Sequence, residues 1–313
     1  MIKEEHFSFM SGQGSISIHG MRWIPEGKVC AVVQLVHGMA ERIERYRNFA
    51  MFLAEHGILV VGHDHLGHGD SVESEDGYGY FAKEHGNRIL VQDMHRIVHI
   101  TKKKYADVPY IMFGHSMGSF LTRQYLCCHG AELDGAVICG TGNMPEVLLK
   151  AAMMICQIEA KLHGWDYRSQ LLRKMSFGTY NNRFKPNRTE SDWLTRDEKV
   201  VDAYIADPKC GFTFTVNGYH NLFLTMYKVG RQEYLEKMPR ELPVLFIAGK
   251  EDPVGNFGKG VCEVADRFSK IGMKHIECKL YPECRHEILN ELDQQKVYED
   301  VFAWIKEYRL LGE

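Results

Sequence analysis

A serine with a glycine two residues away on either side, Gly114-His115-Ser116-Met117-Gly118, is an arrangement suited to acyl transfer. The apolar run Tyr110 to Phe113 precedes it and a helix-forming stretch to His129 follows, which predicts strand, tight turn and helix. At such a turn the nucleophile sits in a strained backbone conformation, and a Cβ two residues before or after it would clash. The turn projects the Ser116 hydroxyl above a sheet. It also aims the Met117 amide, at a helix start, toward an oxyanion forming at an attacked carbonyl.

A serine hydroxyl is a weak nucleophile until a base takes its proton, so the hypothesis requires an acid and then a histidine later in the chain. Asp252 follows the apolar run Val244 to Ala248 in Gly249-Lys250-Glu251-Asp252-Pro253. His286 follows the strand pattern ending at Tyr281. In a parallel sheet both loops leave from the edge that carries Ser116. Glu251 is the rival acid, but the shorter Asp252 beside Pro253 suits a fixed acceptor for the imidazole Nδ1 proton. His275 precedes its strand and would lie at the wrong edge. A second oxyanion amide is expected from the loop after the first central strand, Val36-His37-Gly38-Met39-Ala40-Glu41, where Met39 offers the N–H and Gly38 permits close approach.

Other clusters weigh less. His63-Asp64-His65-Leu66-Gly67-His68-Gly69 contains three imidazoles and a carboxylate, but glycine-punctuated loops after strands are ordinary turns and no further ligands at zinc spacing follow. His95 and His99 stand at i, i+4 on a helix and read as a solvated face.

Short apolar runs alternating with segments of helical period must hold these loops. Val29 to Val36, Ile58 to Gly62, Tyr110 to Phe113, Ala136 to Cys139, Val244 to Ala248 and Ile276 to Tyr281 are the expected strands. A hairpin of Phe7 to Met10 and Ile16 to Trp23 precedes them. The helices include Ile89 to Tyr105, with Leu90, Met94, Ile97 and Val98 on one face, and a last one from about Leu292 to Leu310. Such alternation implies a mostly parallel sheet covered on both faces.

The alternation breaks at 141–215, read as a helical cap inserted between core segments 1–140 and 216–313. Within it, Glu146 to Leu162 forms a helix with Val147, Leu148, Ala151, Met154, Ile155, Ile158 and Leu162 gathered on one side at ~100° per residue. Leu149, Met153, Cys156 and Ala160 widen the apolar arc. Either the helix is sandwiched within its cap, or the surplus faces an acyl chain or a membrane surface.

With 313 residues, 45% hydrophobic and 25% charged, the chain can bury a large core. A net charge of −3 gives no support to nucleic-acid binding. No secretory signal or apolar run of spanning length is present. The nine scattered cysteines, without a C-x-x-C pair, read as reduced thiols of a cytoplasmic protein.

These residues resemble the monoacylglycerol lipase and lysophospholipase branch of the α/β hydrolases, a group related to the serine aminopeptidases. The resemblance spans nearly the whole chain through His37-Gly38-Met39-Ala40-Glu41 with Arg45-Tyr46, the 63–69 segment, the Ser116 pentapeptide, Asp252-Pro253 and Arg285-His286-Glu287. It implies an α/β-hydrolase fold with Ser116 as nucleophile, His286 as base, Asp252 as orienting acid and the Met39 and Met117 amides as oxyanion hole. It also implies substrate head-group contacts from Glu41 and Arg45, a pair that could equally be a helix-start salt bridge. His115, beside the nucleophile, completes the substrate-binding set. Two departures stand out: Met39-Ala40 where the lipases often have small residues and glycine, and Ser119 where a second glycine often follows the turn.

The expected activity is hydrolysis of a lipid-like ester, monoacylglycerol or lysophospholipid, through an acyl-enzyme, with no cofactor or metal required. Transient membrane-surface contact through the cap is part of this expectation, and oligomeric state stays open. Two rivals remain. One is an aminopeptidase or amidase, for which Glu41, Glu146 or Glu159 would hold a substrate ammonium. The other is a ligand sensor with little or no catalysis, acting through cap movement.

Overall fold

The computed structural model describes residues 1–308 and 310–312. Its centre is an eight-stranded sheet in the order β1-β2-β4-β3-β5-β6-β7-β8. The first two strands, β1 (Lys3–Met10) and β2 (Ser17–Ile24), form the expected hairpin, and β2 joins β4 (Ile58–His63) antiparallel. The rest is parallel: β3 (Ala31–Val36), β5 (Tyr110–His115), β6 (Gly135–Cys139), β7 (Val244–Gly249) and β8 (Ile276–Tyr281). The strands β3 to β7 are buried along their whole length, which is why they read as continuous apolar runs rather than alternating ones.

Helices cover both faces. On one side α1 (Arg47–Glu55) and α10 (Gln294–Glu307) pack Phe49, Leu53, Val301 and Trp304 against Trp23 and Phe113. On the other, α2 (Gly86–Lys102), α3 (Met117–His129) and α9 (Lys259–Lys270) pack Met94, Ile97, Val98, Leu121, Val264 and Phe268 against Tyr110 and Phe246. This is a doubly covered, mostly parallel α/β sheet, with the Ser116 turn after β5 at its middle.

Between β6 and β7 the chain makes α4 (Glu146–His163), α5 (Gln170–Phe177), α6 (Glu198–Ala206), α7 (Val216–Val229) and the short α8 (Gln232–Leu235). α7 packs on α3 and α2, and α4 lies on α7. Only Leu149, Ala152 and Cys156 of α4 are buried. Val147 is 76% exposed and Leu162 68%, with Leu148, Met154 and Ile158 also in solvent. The side the wheel had gathered therefore faces outward, and the sandwiched reading of this helix does not hold. Leu171 and Met175 of α5 add to the exposed apolar surface.

Candidate active site

Four loops leave the carboxyl ends of β3, β5, β7 and β8 and meet at one edge. Ser116 has φ 53° and ψ −120°, a left-handed conformation that costs about 1–3 kcal/mol and persists only where the surroundings fix it. Its N–H bonds the Cys139 carbonyl at 3.0 Å, and its carbonyl accepts the Ser119 N–H and the Ser119 hydroxyl. Ser119, the departure from the glycine pattern, thus braces the turn. A Cβ at Gly118 would lie 2.0 Å from the Val36 carbonyl oxygen, and one at Gly114 would lie 2.4 Å from that of Gly118. Both positions tolerate only glycine because strand, turn and helix backbones touch there.

His286 Nδ1 lies 3.0 Å from each carboxylate oxygen of Asp252, and both side chains are buried. Hydrogen bonds between the two loops set this meeting: the Lys250 N–H to the Tyr281 carbonyl and the Glu251 N–H to that of Cys284. Asp252 Oδ1 also accepts the Val254 N–H at 2.9 Å. Glu251, the rival acid, is only half-buried and faces Arg183 at 3.8 Å. Burial pulls the His286 pKa down, but the charge and hydrogen bond of Asp252 overcome it and leave the imidazole raised from its ordinary value. A neutral His286 carrying its proton on Nδ1 can present Nε2 as a base.

Ser116 and His286 line a cavity of about 680 Å³ together with Met39, Met117, Glu41 and His115. Met117 is the first residue of α3, so its N–H lacks an intrahelical acceptor. His37 fixes the other amide. Its Nδ1–H donates to the Gly38 carbonyl at 2.8 Å, and its Nε2 accepts the His65 N–H at 2.9 Å. Because the Gly38–Met39 peptide is planar and trans, holding its oxygen turns the Met39 N–H to the opposite side. The Ala40 carbonyl is held by the Gly211 N–H and the Tyr204 hydroxyl, which ties this loop to the cap.

The head-group contact expected of Arg45 is not what the structure shows. Arg45 does not line the cavity. Its guanidinium bonds Glu41 at 2.7 Å and Glu287 at 2.8 and 2.7 Å, and stacks 4.8 Å from the Tyr204 ring centroid. The salt-bridge alternative holds for this pair, in buried form. Glu41 accepts from Arg45, the Gly38 N–H and the Tyr46 hydroxyl, so it is hydrogen-bonded on every side and shares the Arg45 charge with Glu287 although it borders the cavity. His115 borders it too, 4.7 Å ring to ring from His286, with its pKa lowered to about 4 by burial and by that neighbour.

Two features escaped the sequence reading. Glu287, adjacent to His286, is the third member of the buried ion network. Trp193 packs 5.1 Å from the His286 ring, backed by Phe177 and Tyr180, and shields the imidazole from the cap side. Tyr204 and Asp207, from the segment between β6 and β7, touch Arg45 and Arg42. The cavity wall is apolar where α3 and α7 contribute Phe120, Leu222, Phe223 and Met226, and polar where the cap contributes Lys174, Asn181, Lys185 and Glu190.

His63, His65 and His68 are fully buried with lowered pKa values, burial being the first cause. Among the described residues they form no group of converging metal ligands with a carboxylate. His68 instead stands within 6 Å of the rings of Phe81, Phe212 and Phe214.

The sequence is 27% identical to the monoacylglycerol lipase of Mycolicibacterium smegmatis over 97% of each chain, and 27% identical to the monoglyceride lipase of Rattus norvegicus over 87% of this chain and 84% of that one. The structure superposes with a TM-score of 0.91 on a thermostable carboxyl esterase from Bacillus coagulans in complex with glycerol, at 29% identity and covering 98% and 99% of the two chains. The family described as serine aminopeptidase, S33, matches residues 27–293. The chain belongs to that family and is a hydrolase of the α/β-hydrolase fold.

Proposed function

We propose that the protein hydrolyses single-chain lipid esters, monoacylglycerols or lysophospholipids, through an acyl-enzyme on Ser116. The observation that carries this reading is His286, held by buried Asp252 and lining with Ser116 a cavity that has one apolar wall from α3 and α7 and another on which polar cap side chains stand beside Phe177 and Trp193. Such a wall pair suits an amphiphile. The similarity to two monoglyceride lipases, and to an esterase that binds glycerol, supports the same class.

In this mechanism the Ser116 oxygen attacks the ester carbonyl while His286 Nε2 takes its proton, and the Met39 and Met117 amides receive the oxyanion. Asp252 keeps the Nδ1 proton in place and stabilises the imidazolium. His286 then protonates the leaving alcohol. Water, deprotonated by the same nitrogen, attacks the acyl-serine and releases the fatty acid, returning Ser116 and His286 to their starting states.

The outward apolar face of α4 supports transient docking on a lipid surface, each buried CH₂ contributing about 0.8 kcal/mol. Among the described residues no helix is long and apolar enough to cross a membrane. Nine free thiols support a reducing, cytoplasmic setting.

An aminopeptidase would need an unpaired carboxylate at the site. Glu146 and Glu159 do not line the cavity, Glu41 and Glu287 share the Arg45 guanidinium, and Glu190 pairs with Arg173. Parallel turnover of a monoacylglycerol, a lysophospholipid and an aminoacyl amide tests the assignment. Faster cleavage of either ester supports it, and faster cleavage of the amide overturns it.

A further inference from the structure

At the far end of α3 from Ser116, about 18 Å along the helix axis, a second cluster has no part in ester hydrolysis. His95 and His99 lie one turn apart on α2, and their Nε2 atoms face each other at 2.8 Å. Glu132, in the turn that follows α3, brings a carboxylate oxygen 3.8 Å from His95 Nδ1. Taking one donor atom from each of His95, His99 and Glu132, all three lie within 4.8 Å of one another.

We propose that His95, His99 and Glu132 form a binding site for a divalent transition-metal ion, which clips α2 to the α3–β6 connection. The donor set of two imidazoles and a carboxylate selects borderline ions, Zn²⁺, Co²⁺ or Ni²⁺, over Ca²⁺ or Mg²⁺.

The surroundings are already built to orient these ligands. The Tyr125 hydroxyl oxygen lies 3.0 Å from His95 Nδ1, and with the Nδ1–H donating to that oxygen the Nε2 lone pair is available to an ion. The His129 ring stacks on that of His95 at 3.9 Å, and its Nδ1 lies 3.6 Å from the other Glu132 oxygen. Lys102, at the end of α2, donates to the Glu132 carbonyl and anchors the same turn. Without an ion, the His95–His99 contact requires one ring to hold a proton against the other's lone pair. Two Zn–N bonds of about 2.05 Å at a tetrahedral angle set their nitrogens about 3.3 Å apart, so the pair needs to open by only about 0.5 Å. His99 is exposed, which leaves a path for entry and a position for water.

The test is titration of the full chain, stripped with a chelator, with Co²⁺ followed by its visible absorption and then displaced by Zn²⁺. The wild type is expected to take up one equivalent saturably, with a rise in thermal midpoint on Zn²⁺ addition. Both His99→Ala and Glu132→Gln are expected to lower the affinity at least tenfold. Either variant keeps the helix, because alanine is the better helix former and glutamine keeps the shape. Ester turnover near the wild-type level in both establishes that they are folded. Absence of saturable binding by the wild type, or an affinity unchanged in either variant, would overturn the site.

Discussion

Arg45 and Glu287, 242 residues apart, meet through two parallel hydrogen bonds of 2.8 and 2.7 Å, and the same guanidinium holds Glu41 at 2.7 Å. One cation therefore ties the loop that carries Met39 to the loop that carries His286. Against the pull of burial, the Arg45 charge keeps the Glu287 carboxyl at about 2. Replacing Arg45 by Ala strands two buried carboxylates and is expected to cost about 3–5 kcal/mol by denaturant unfolding. The kcat should fall more than KM rises, because geometry rather than substrate contact is lost. A stability within about 0.5 kcal/mol of wild type would contradict this network.

The fold and the local outline of the candidate site were legible in the sequence for local reasons. Gly114 and Gly118 mark a turn whose tightness is a property of five residues, and Asp252 and His286 each lie in the loop that follows a strand. The Arg45–Glu287 bond was not legible, since nothing in either local stretch names a partner on the other side of the chain. The orientation of α4 failed for a different reason. A helix apolar over most of its circumference gives the wheel no contrast, and packing on α7 chose Leu149, Ala152 and Cys156 as the buried side. His95 and His99 read as a solvated pair because Glu132 and Tyr125 sit on other elements.

At the Ser116 turn, Gly118→Ala puts a methyl 2.0 Å from the Val36 carbonyl oxygen, a backbone atom that cannot rotate away. The variant is expected to lose about 1–3 kcal/mol or more and most of its turnover. A melting curve and a rate matching wild type would show that the turn has room the structure denies it.

Acid should unfold the protein readily. Burial lowers His63 to about 3 and His115 to about 4, and lowers His37, His65 and His68 as well, from an unfolded value near 6.5. Between those values the unfolded chain binds more protons, so the stability these five contribute is full above about pH 6.5 and falls as the pH drops, whereas the raised His19 and His286 act in the opposite sense above about pH 6.5. Asp93, pushed up to about 6 by burial, acts in the opposite sense from about pH 4 to 6, but it is one group against five. His68→Phe, placed among Phe81, Phe212 and Phe214, is expected to move the midpoint of acid unfolding to lower pH, read by circular dichroism. An unmoved midpoint would remove His68 from the account.

On the cap, Leu148→Ser combined with Leu162→Ser is expected to reduce partition onto lipid vesicles while turnover of a short soluble ester stays at the wild-type level. Both side chains stand in solvent, so neither change removes core packing. Undiminished vesicle binding would show that α4 is not the docking face.

The proposed chemistry begins with a proton passing from Ser116 to His286, and its direct measurement is kcat/KM of Ser116→Ala on a monoacylglycerol, with circular dichroism to show that the variant is folded. The expected loss is about 10⁴-fold or more. A folded variant that keeps a rate within about tenfold of wild type would mean that the chemistry resides elsewhere.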